Sequence, residues 1–97
     1  MVRYKVKPEH VAENEELIRA LYEELQSTAP AGLHHASFRL DDGVSFLHLV
    51  SLVDDGHDPL LELDAFKRFR EHLDERCDEI RVHTGLDEIG SFKLFPR

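Results

Sequence analysis

Hydrophobic and polar side chains alternate strictly over residues 2–7, and this period of two predicts a half-buried β-strand. Pro8 ends the strand and suits the first turn of a helix, where its missing N–H costs nothing. From about residue 9 to residue 28, apolar side chains recur at helical spacing opposite a face rich in glutamate. The pattern predicts an amphipathic helix that ends before the breakers Pro30 and Gly32.

The middle of the chain predicts a β-hairpin. Residues 33–40 and 44–53 are the two strands, and Asp41-Asp42-Gly43 between them tolerates the positive φ of a tight turn. The second of these strands reads V-S-F-L-H-L-V-S-L-V, and neither of its alternate faces is properly polar. We therefore expect both faces of this strand to be covered.

The last third of the chain predicts a second helix and a fourth strand. Residues 60–63 form a predicted short turn, and Asp64 is a candidate N-cap for the helix. We expect this helix to extend to residue 80 or 81, and residues 86–95 to form the last strand. The helical spacing behind this prediction is that of Phe66, Phe69, Leu73, Cys77 and Ile80.

The resulting order, β-α-β-β-α-β, is typical of a ferredoxin-like α+β fold with a four-stranded antiparallel sheet and both helices on one face. The 97 residues fit a single domain, residues 1–97. Two helices cover only one face of the sheet, so the other face needs a partner. A second copy of the chain is the simplest one, and we expect a homodimer through sheet-to-sheet packing.

The register of the hairpin decides which side chains face the helices. If Leu40 opposes Val44, then Phe38 opposes Phe46, and both lie with His48 under the helices. The opposite face, at the dimer interface, then carries polar and apolar side chains with two leucines at its centre: His35, Ser37, Arg39, Leu47, Leu49 and Ser51. The length of the turn also allows a slip by one residue, which would exchange the faces of one strand relative to the other.

Composition narrows the range of partners and cellular locations to be expected. The net charge of −8 argues against a nucleic-acid footprint and against anionic membrane surfaces. The single cysteine, Cys77, cannot form an intramolecular disulfide, and a reducing, cytoplasmic setting is expected. The N-terminus lacks the apolar core of a signal peptide, and no stretch is long enough to span a membrane.

Four sequence segments resemble the antibiotic-biosynthesis-monooxygenase-like (ABM) members of the dimeric α+β barrel superfamily. They are V-R-Y-K-V-K-P before the acidic helix, P-A-G-L before the second strand, D-D-G-V-S-F-L-H-L-V across the hairpin, and D-P-L-L-E-L-D-A-F-K-R-F into the second helix. The resemblance implies a two-protomer barrel with a pocket between sheet and helices. It also implies, in some members, oxidation of phenols or quinols by O₂ without metal or flavin. Haem-degrading relatives use a Trp, and this chain has none.

His48 and Tyr4 are the candidate catalytic residues. A buried neutral imidazole at His48 could accept a phenol proton or hold a substrate oxygen, and the Tyr4 hydroxyl could point into the same space. The alternative is a core histidine and a core ring that pack and bond to their neighbours. Four aromatic rings are candidate substrate-binding walls, or equally plain core: Phe38, Phe46, Phe66 and Phe69.

No metal or cofactor is expected. His34 and His35 are adjacent on a strand and point to opposite faces, and no metal-ligating motif occurs in the sequence. Two function hypotheses follow. The first is a cofactor-independent monooxygenase-like protein acting on a small aromatic, phenolic or quinol substrate, and the second is a non-catalytic dimeric domain that binds a small molecule.

Overall fold

Seven elements in the order β-α-β-β-α-α-β make up the part of the chain that the structure, a computed structural model, describes: residues 1–53 and 56–92. The elements are β1 (Val2–Val6), α1 (Val11–Thr28), β2 (Leu33–Arg39), β3 (Ser45–Leu52), α2 (Asp64–Arg70), α3 (Leu73–Arg76) and β4 (Cys77–His83). The four strands form one antiparallel sheet in the order β2-β3-β1-β4. The predicted α+β class with a four-stranded antiparallel sheet is confirmed.

The first strand and helix match their predicted positions. A 3₁₀ turn over Pro8–His10 leads from β1 into α1, so the proline sits where its absent N–H is harmless. At the other end Ala29 adopts a left-handed conformation with φ of 43°, and its N–H bonds to the Leu25 carbonyl at 2.8 Å. This C-terminal cap turns the chain back toward the sheet.

The hairpin forms where predicted, but in the register shifted by one residue. Ser37 lies opposite His48, and Phe38 lies opposite Leu47, so the predicted pairing of Phe38 with Phe46 is wrong. The cause is the turn, because Asp42 accepts hydrogen bonds from the backbone N–H groups of Val44 and Ser45 and holds Val44 outside the ladder between β2 and β3. The longer turn exchanges the two faces of β2 relative to β3.

The second helix is much shorter than predicted, and the fourth strand occupies different residues. α2 ends at Arg70, and His72 takes a left-handed conformation with φ of 61° that interrupts the helical path. Cys77 then enters β4 and pairs with Val6, so its predicted place on a helix is wrong. Residues 84–92 carry no strand, and residues 93–95 of the predicted last strand lie outside the described residues.

The core lies between the sheet and the helices. Its main cluster comprises Tyr4, Val6, Phe46, Phe69, Leu73 and Cys77, and a second cluster joins α1 to the turn before α2. The opposite side of the sheet, called here the open face, carries Ala36, Phe38, Leu47, Leu49 and Val82 beside Arg3 and Lys5. No helix within residues 1–53 and 56–92 is long and apolar enough to cross a membrane.

Candidate functional site

A cavity of about 460 Å³ opens between the sheet, α2 and the 3₁₀ turn that precedes α2. Its inner wall is formed by two imidazoles and apolar side chains: His35, His48, Val50, Leu60, Phe66 and Phe69. This volume falls within the range of small-molecule sites, which are typically apolar with a few converging polar groups. We call it the helix-side cavity.

A larger hollow of about 530 Å³ lies outside α2 and α3. It is a more open depression whose lining is dominated by charged side chains such as Lys67, Glu71 and Asp74. Such a surface keeps its charges in water and offers a ligand less apolar contact than the helix-side cavity does. The helix-side cavity is therefore the better candidate site, although it is the smaller of the two.

Seven side chains form a continuous hydrogen-bonded series that ends at this cavity. In order, the members of this polar series are Arg76, Asn14, Tyr4, His48, Ser37, Tyr22 and His35. They come from α1, β1, β2, β3 and the end of α3. Two members, His48 and His35, line the helix-side cavity.

The buried half of the polar series starts at Arg76. Its Nε and Nη2 donate to the Asn14 Oδ1 at 3.3 and 3.2 Å, and Asn14 is fully buried on the apolar stripe of α1. The Asn14 Nδ2 donates to the Tyr4 hydroxyl at 3.0 Å. That hydroxyl lies 2.8 Å from the Nε2 of His48, so the two predicted catalytic residues are in direct contact.

The second half of the polar series runs along β2 to α1. The Nδ1 of His48 lies 2.6 Å from the Ser37 Oγ, which lies 2.8 Å from the Tyr22 hydroxyl. The same hydroxyl lies 2.6 Å from the Nδ1 of His35. Because His48 opposes Ser37 in the ladder, the observed register is what brings these groups together.

Burial keeps the titratable members of the polar series uncharged near neutral pH. Desolvation, and to a lesser extent the neighbouring His35, lower the pKa of His48 to about 4. Desolvation also lowers the pKa of His35, although the nearby Asp58 opposes this shift. For Tyr4, burial raises the hydroxyl pKa far above its ordinary value, and burial also raises the pKa of Tyr22. The polar series is therefore a neutral network with one cation, Arg76, at its buried end.

The predicted ring walls divide into two groups. Phe66 and Phe69 line the helix-side cavity, stacked on each other with centroids 6.5 Å apart. Phe46 is not part of this lining and instead packs against the Tyr4 ring with centroids 5.7 Å apart. Phe38 lies across from Leu47 on the open face, away from the cavity, because of the shifted register.

Sequence reasoning missed five members of the polar series: Asn14, Arg76, Ser37, Tyr22 and His35. One of them carried a usable signal, since Asn14 is an amide in the middle of an otherwise apolar helical stripe. Buried polar side chains are hydrogen-bonded, so an amide in that position predicts a buried polar partner. His35 and Ser37 were assigned to the opposite face by the wrong register, and Arg76 was placed inside a helix.

The site offers proton-transfer and hydrogen-bonding groups in an apolar setting. Among the described residues, no group of three His, Cys, Asp or Glu side chains is placed to hold a metal ion. Comparison with protein-family models, with curated proteins and with solved structures found no match.

Proposed function

We propose that this protein is an ABM-like, cofactor-independent monooxygenase that acts on a small phenol or quinol bound in the helix-side cavity. The observation that carries the proposal is the composition of the cavity wall. Phe66, stacked on the nearly buried Phe69, offers an apolar ring to the cavity, and two neutral imidazoles line the cavity with it. A flat aromatic ring with one oxygen substituent matches this combination of apolar area and few polar groups.

The chemistry needs no group that the chain lacks. A phenol that loses its proton becomes electron-rich enough to reduce O₂. One oxygen atom then bonds to a ring carbon, while the other leaves as water with the two displaced hydrogens, giving a quinone. Phe66 and Phe69 would hold the substrate ring. The imidazoles of His48 and His35 would hold the substrate oxygen and determine whether it keeps its proton.

The assembly we propose is a ferredoxin-like protomer that pairs into a dimeric α+β barrel through the open face. Support comes from the apolar side chains on that face, with Leu47 and Leu49 at its centre and Phe38 39% exposed. An apolar sheet face of this kind marks an association site. The reduced thiol of Cys77 fits a cytoplasmic setting, which is part of the same proposal.

A second candidate function is binding without turnover. One observation favours it, because both ring nitrogens of His48 are already bonded within the protein, to Tyr4 and to Ser37. A base whose lone pair is occupied must break an internal bond before it accepts a substrate proton. The same cavity would then serve a carrier or sensor of the phenol.

O₂ uptake on a panel of quinols and phenols distinguishes the two functions. We expect the wild-type protein to consume O₂ with at least one substrate, and His48→Ala to lose most of this uptake. His10→Ala is the matched control, since His10 lies at the start of α1 with its Nδ1 paired to Glu13 on the surface. Unchanged uptake in His48→Ala removes this residue from the mechanism. Phenol binding without any uptake selects the non-catalytic function.

A further inference from the structure

The hydrogens of the polar series have only one arrangement that satisfies every member. Arginine carries donors and no acceptor, so the Asn14 oxygen must face Arg76. The Asn14 NH₂ group therefore faces the Tyr4 hydroxyl as a donor. The Tyr4 hydrogen has one remaining acceptor, the Nε2 of His48, and His48 is consequently protonated on Nδ1.

The hydrogen bonds keep the same direction from His48 to the cavity. The Nδ1–H of His48 donates to Ser37, and the Ser37 hydroxyl donates to Tyr22. The Tyr22 hydroxyl then donates to the Nδ1 of His35, which must carry its hydrogen on Nε2. Any other arrangement leaves a hydroxyl hydrogen without a protein acceptor among the described residues. The cost is that of a buried unpaired group at Tyr4, and it is smaller at the half-buried Ser37 and Tyr22.

The last hydrogen of the polar series reaches the cavity. In the described part of the chain, the Nε2 of His35 has no protein partner, and every fully buried side-chain nitrogen or oxygen atom has one. Since His35 is only partly buried and lines the cavity, its Nε2–H is open to a ligand. The polar series thus presents a hydrogen-bond donor, rather than an acceptor, at the cavity wall.

Charges of both signs line the cavity that His35 faces. Arg70 and Arg81 lie on α2 and β4, and the Arg81 guanidinium is paired with Asp74 at 3.2 Å. Asp58 is the acid that lines the cavity, and its charge acts on His35 directly. A preference for an anion would therefore come from the Nε2–H donor and not from the surrounding charges. The other titratable groups that face His35 are uncharged near neutral pH, namely Tyr22 from α1 and His48 from β3. His83 of β4 also lines the cavity and adds no negative charge.

We infer that His35 is a specificity-determining residue that binds the ligand oxygen as an anion, a phenolate, through its Nε2–H, and that Arg76 sets this preference as a positioning residue. The inference rests on the proposed function, because it assumes that the ligand is a phenol. A donor that meets a charged oxygen forms a charge-assisted bond, which is stronger than the bond to a neutral hydroxyl. The phenol therefore releases its proton to solvent as it binds.

The probe is 4-nitrophenol, whose phenolate absorbs visible light and whose neutral form does not. We expect the wild-type protein to bind the phenolate about tenfold more tightly than the neutral phenol, a gain typical of one charge-assisted hydrogen bond. The pKa of the bound probe then lies about one unit below that of the free probe. Absorbance titrations across pH, with and without protein, measure this shift.

Asn14→Asp is the decisive variant because it should reverse the polar series. The introduced carboxylate would accept from both Arg76 and Tyr4, so every later bond turns round and the His35 Nε2 becomes an acceptor. We expect this variant to prefer the neutral phenol, with a raised pKa of the bound probe. The substitution is nearly isosteric and makes no contact with His35, so general loosening of the fold would not reverse the sign.

Ser37→Ala separates transmission along the polar series from a direct effect of the new charge. Without the serine hydroxyl the reversal cannot pass from His48 to Tyr22, so Asn14→Asp should leave the probe pKa nearly unchanged in the Ser37→Ala background. A full effect of Asn14→Asp in that background means that charge alone acts, which overturns the role given to Arg76.

The wild-type protein also reports the arrangement without any substitution. Nitrogen-15 NMR of labelled histidine distinguishes the tautomers, and we expect Nδ1–H for His48 and Nε2–H for His35. The opposite tautomers overturn the inference. If the wild-type protein binds 4-nitrophenol in its neutral form, the inference fails while the proposed function survives. If it binds no phenol at all, both fail.

Discussion

Tyr4→Phe tests the polar series where it is most buried. Tyr4 is 2% exposed, and its hydroxyl bonds to Asn14 at 3.0 Å and to His48 at 2.8 Å. The substitution retains the ring and its packing against Phe46 and Phe69, and removes one oxygen atom. Its main consequence is that two buried polar atoms, the Asn14 Nδ2 and the His48 Nε2, lose their partner.

The expected loss of stability can be worked out from those two atoms. A buried donor or acceptor left without a partner costs about 1–3 kcal/mol. Asn14 is fully buried and His48 is 6% exposed, so water restores little, and the two atoms together should lower the free energy of unfolding by about 2–6 kcal/mol. For 97 residues the unfolding entropy is about 0.2 kcal/mol/K, so the thermal midpoint falls by about 10–30 °C.

Denaturant and thermal unfolding, followed by circular dichroism, measure this loss. The matched control is Tyr22→Phe, which also removes a hydroxyl with two partners, Ser37 and His35, but at a half-buried position that water can reach. We expect Tyr22→Phe to cost less than about 1 kcal/mol. If Tyr4→Phe loses no more than this control, then the Tyr4 hydroxyl does not hold the buried half of the polar series together.

Three further predictions follow from other parts of the molecule. The pKa of His48 is about 4 in the folded protein and 6.5 in the unfolded chain, so the neutral imidazole contributes its full stability above pH 6.5. The free energy of unfolding should fall by up to about 3 kcal/mol as the pH drops from 6.5 to 4. Denaturant unfolding at a series of pH values should show this fall in the wild-type protein and not in His48→Gln. Asp42→Ala should lower the thermal midpoint more than Asp41→Ala, because Asp42 accepts hydrogen bonds from two backbone N–H groups and from a side chain in the turn. In a sedimentation experiment we expect the wild-type protein to be a dimer and Leu49→Asp, on the open face, to be a monomer of 11.2 kDa. A wild-type protein that sediments as a folded monomer would refute the proposed assembly.

The sequence predicted the elements whose signals are local. Alternation over β1, the apolar stripe of α1 and Pro8 between them all act within a few residues, so their positions agree with the structure. The contact between Tyr4 and His48 also followed from the expectation that both point to the same side of the sheet. These predictions depend on periodicity, which the sequence contains directly.

The errors arose where distant contacts decide between two local options. Leu73, Cys77 and Ile80 fit a helical spacing, but backbone pairing with β1 takes Cys77–His83 into the sheet. Whether these residues form a helix or a strand depends on pairing with a strand at the other end of the chain, and the local periodicity contains no information about that pairing. The hairpin register is the exception, because its cause is local. The Asp42 carboxylate bonds to Val44 and Ser45, lengthens the turn and thereby brings Ser37 and His35 to the cavity side.

The candidate site was harder to predict than the fold. Arg76 and Asn14 are 62 residues apart in the sequence, and their roles in the polar series depend on the fold that brings them into contact. A single polar residue in a helical stripe predicts a partner without identifying it.

The polar series also joins folding to ligand recognition. Its seven side chains come from α1, three strands and the end of α3, so no hairpin or single helix-strand unit contains enough of them to fix the hydrogen on His35. A partly opened molecule that had lost only β4 and the adjoining α3 would still hold much of the cavity wall. Its His48 and His35 could then each adopt either tautomer. Discrimination between the phenol and the phenolate should therefore be lost in one step when β4 detaches, before the cavity itself is lost.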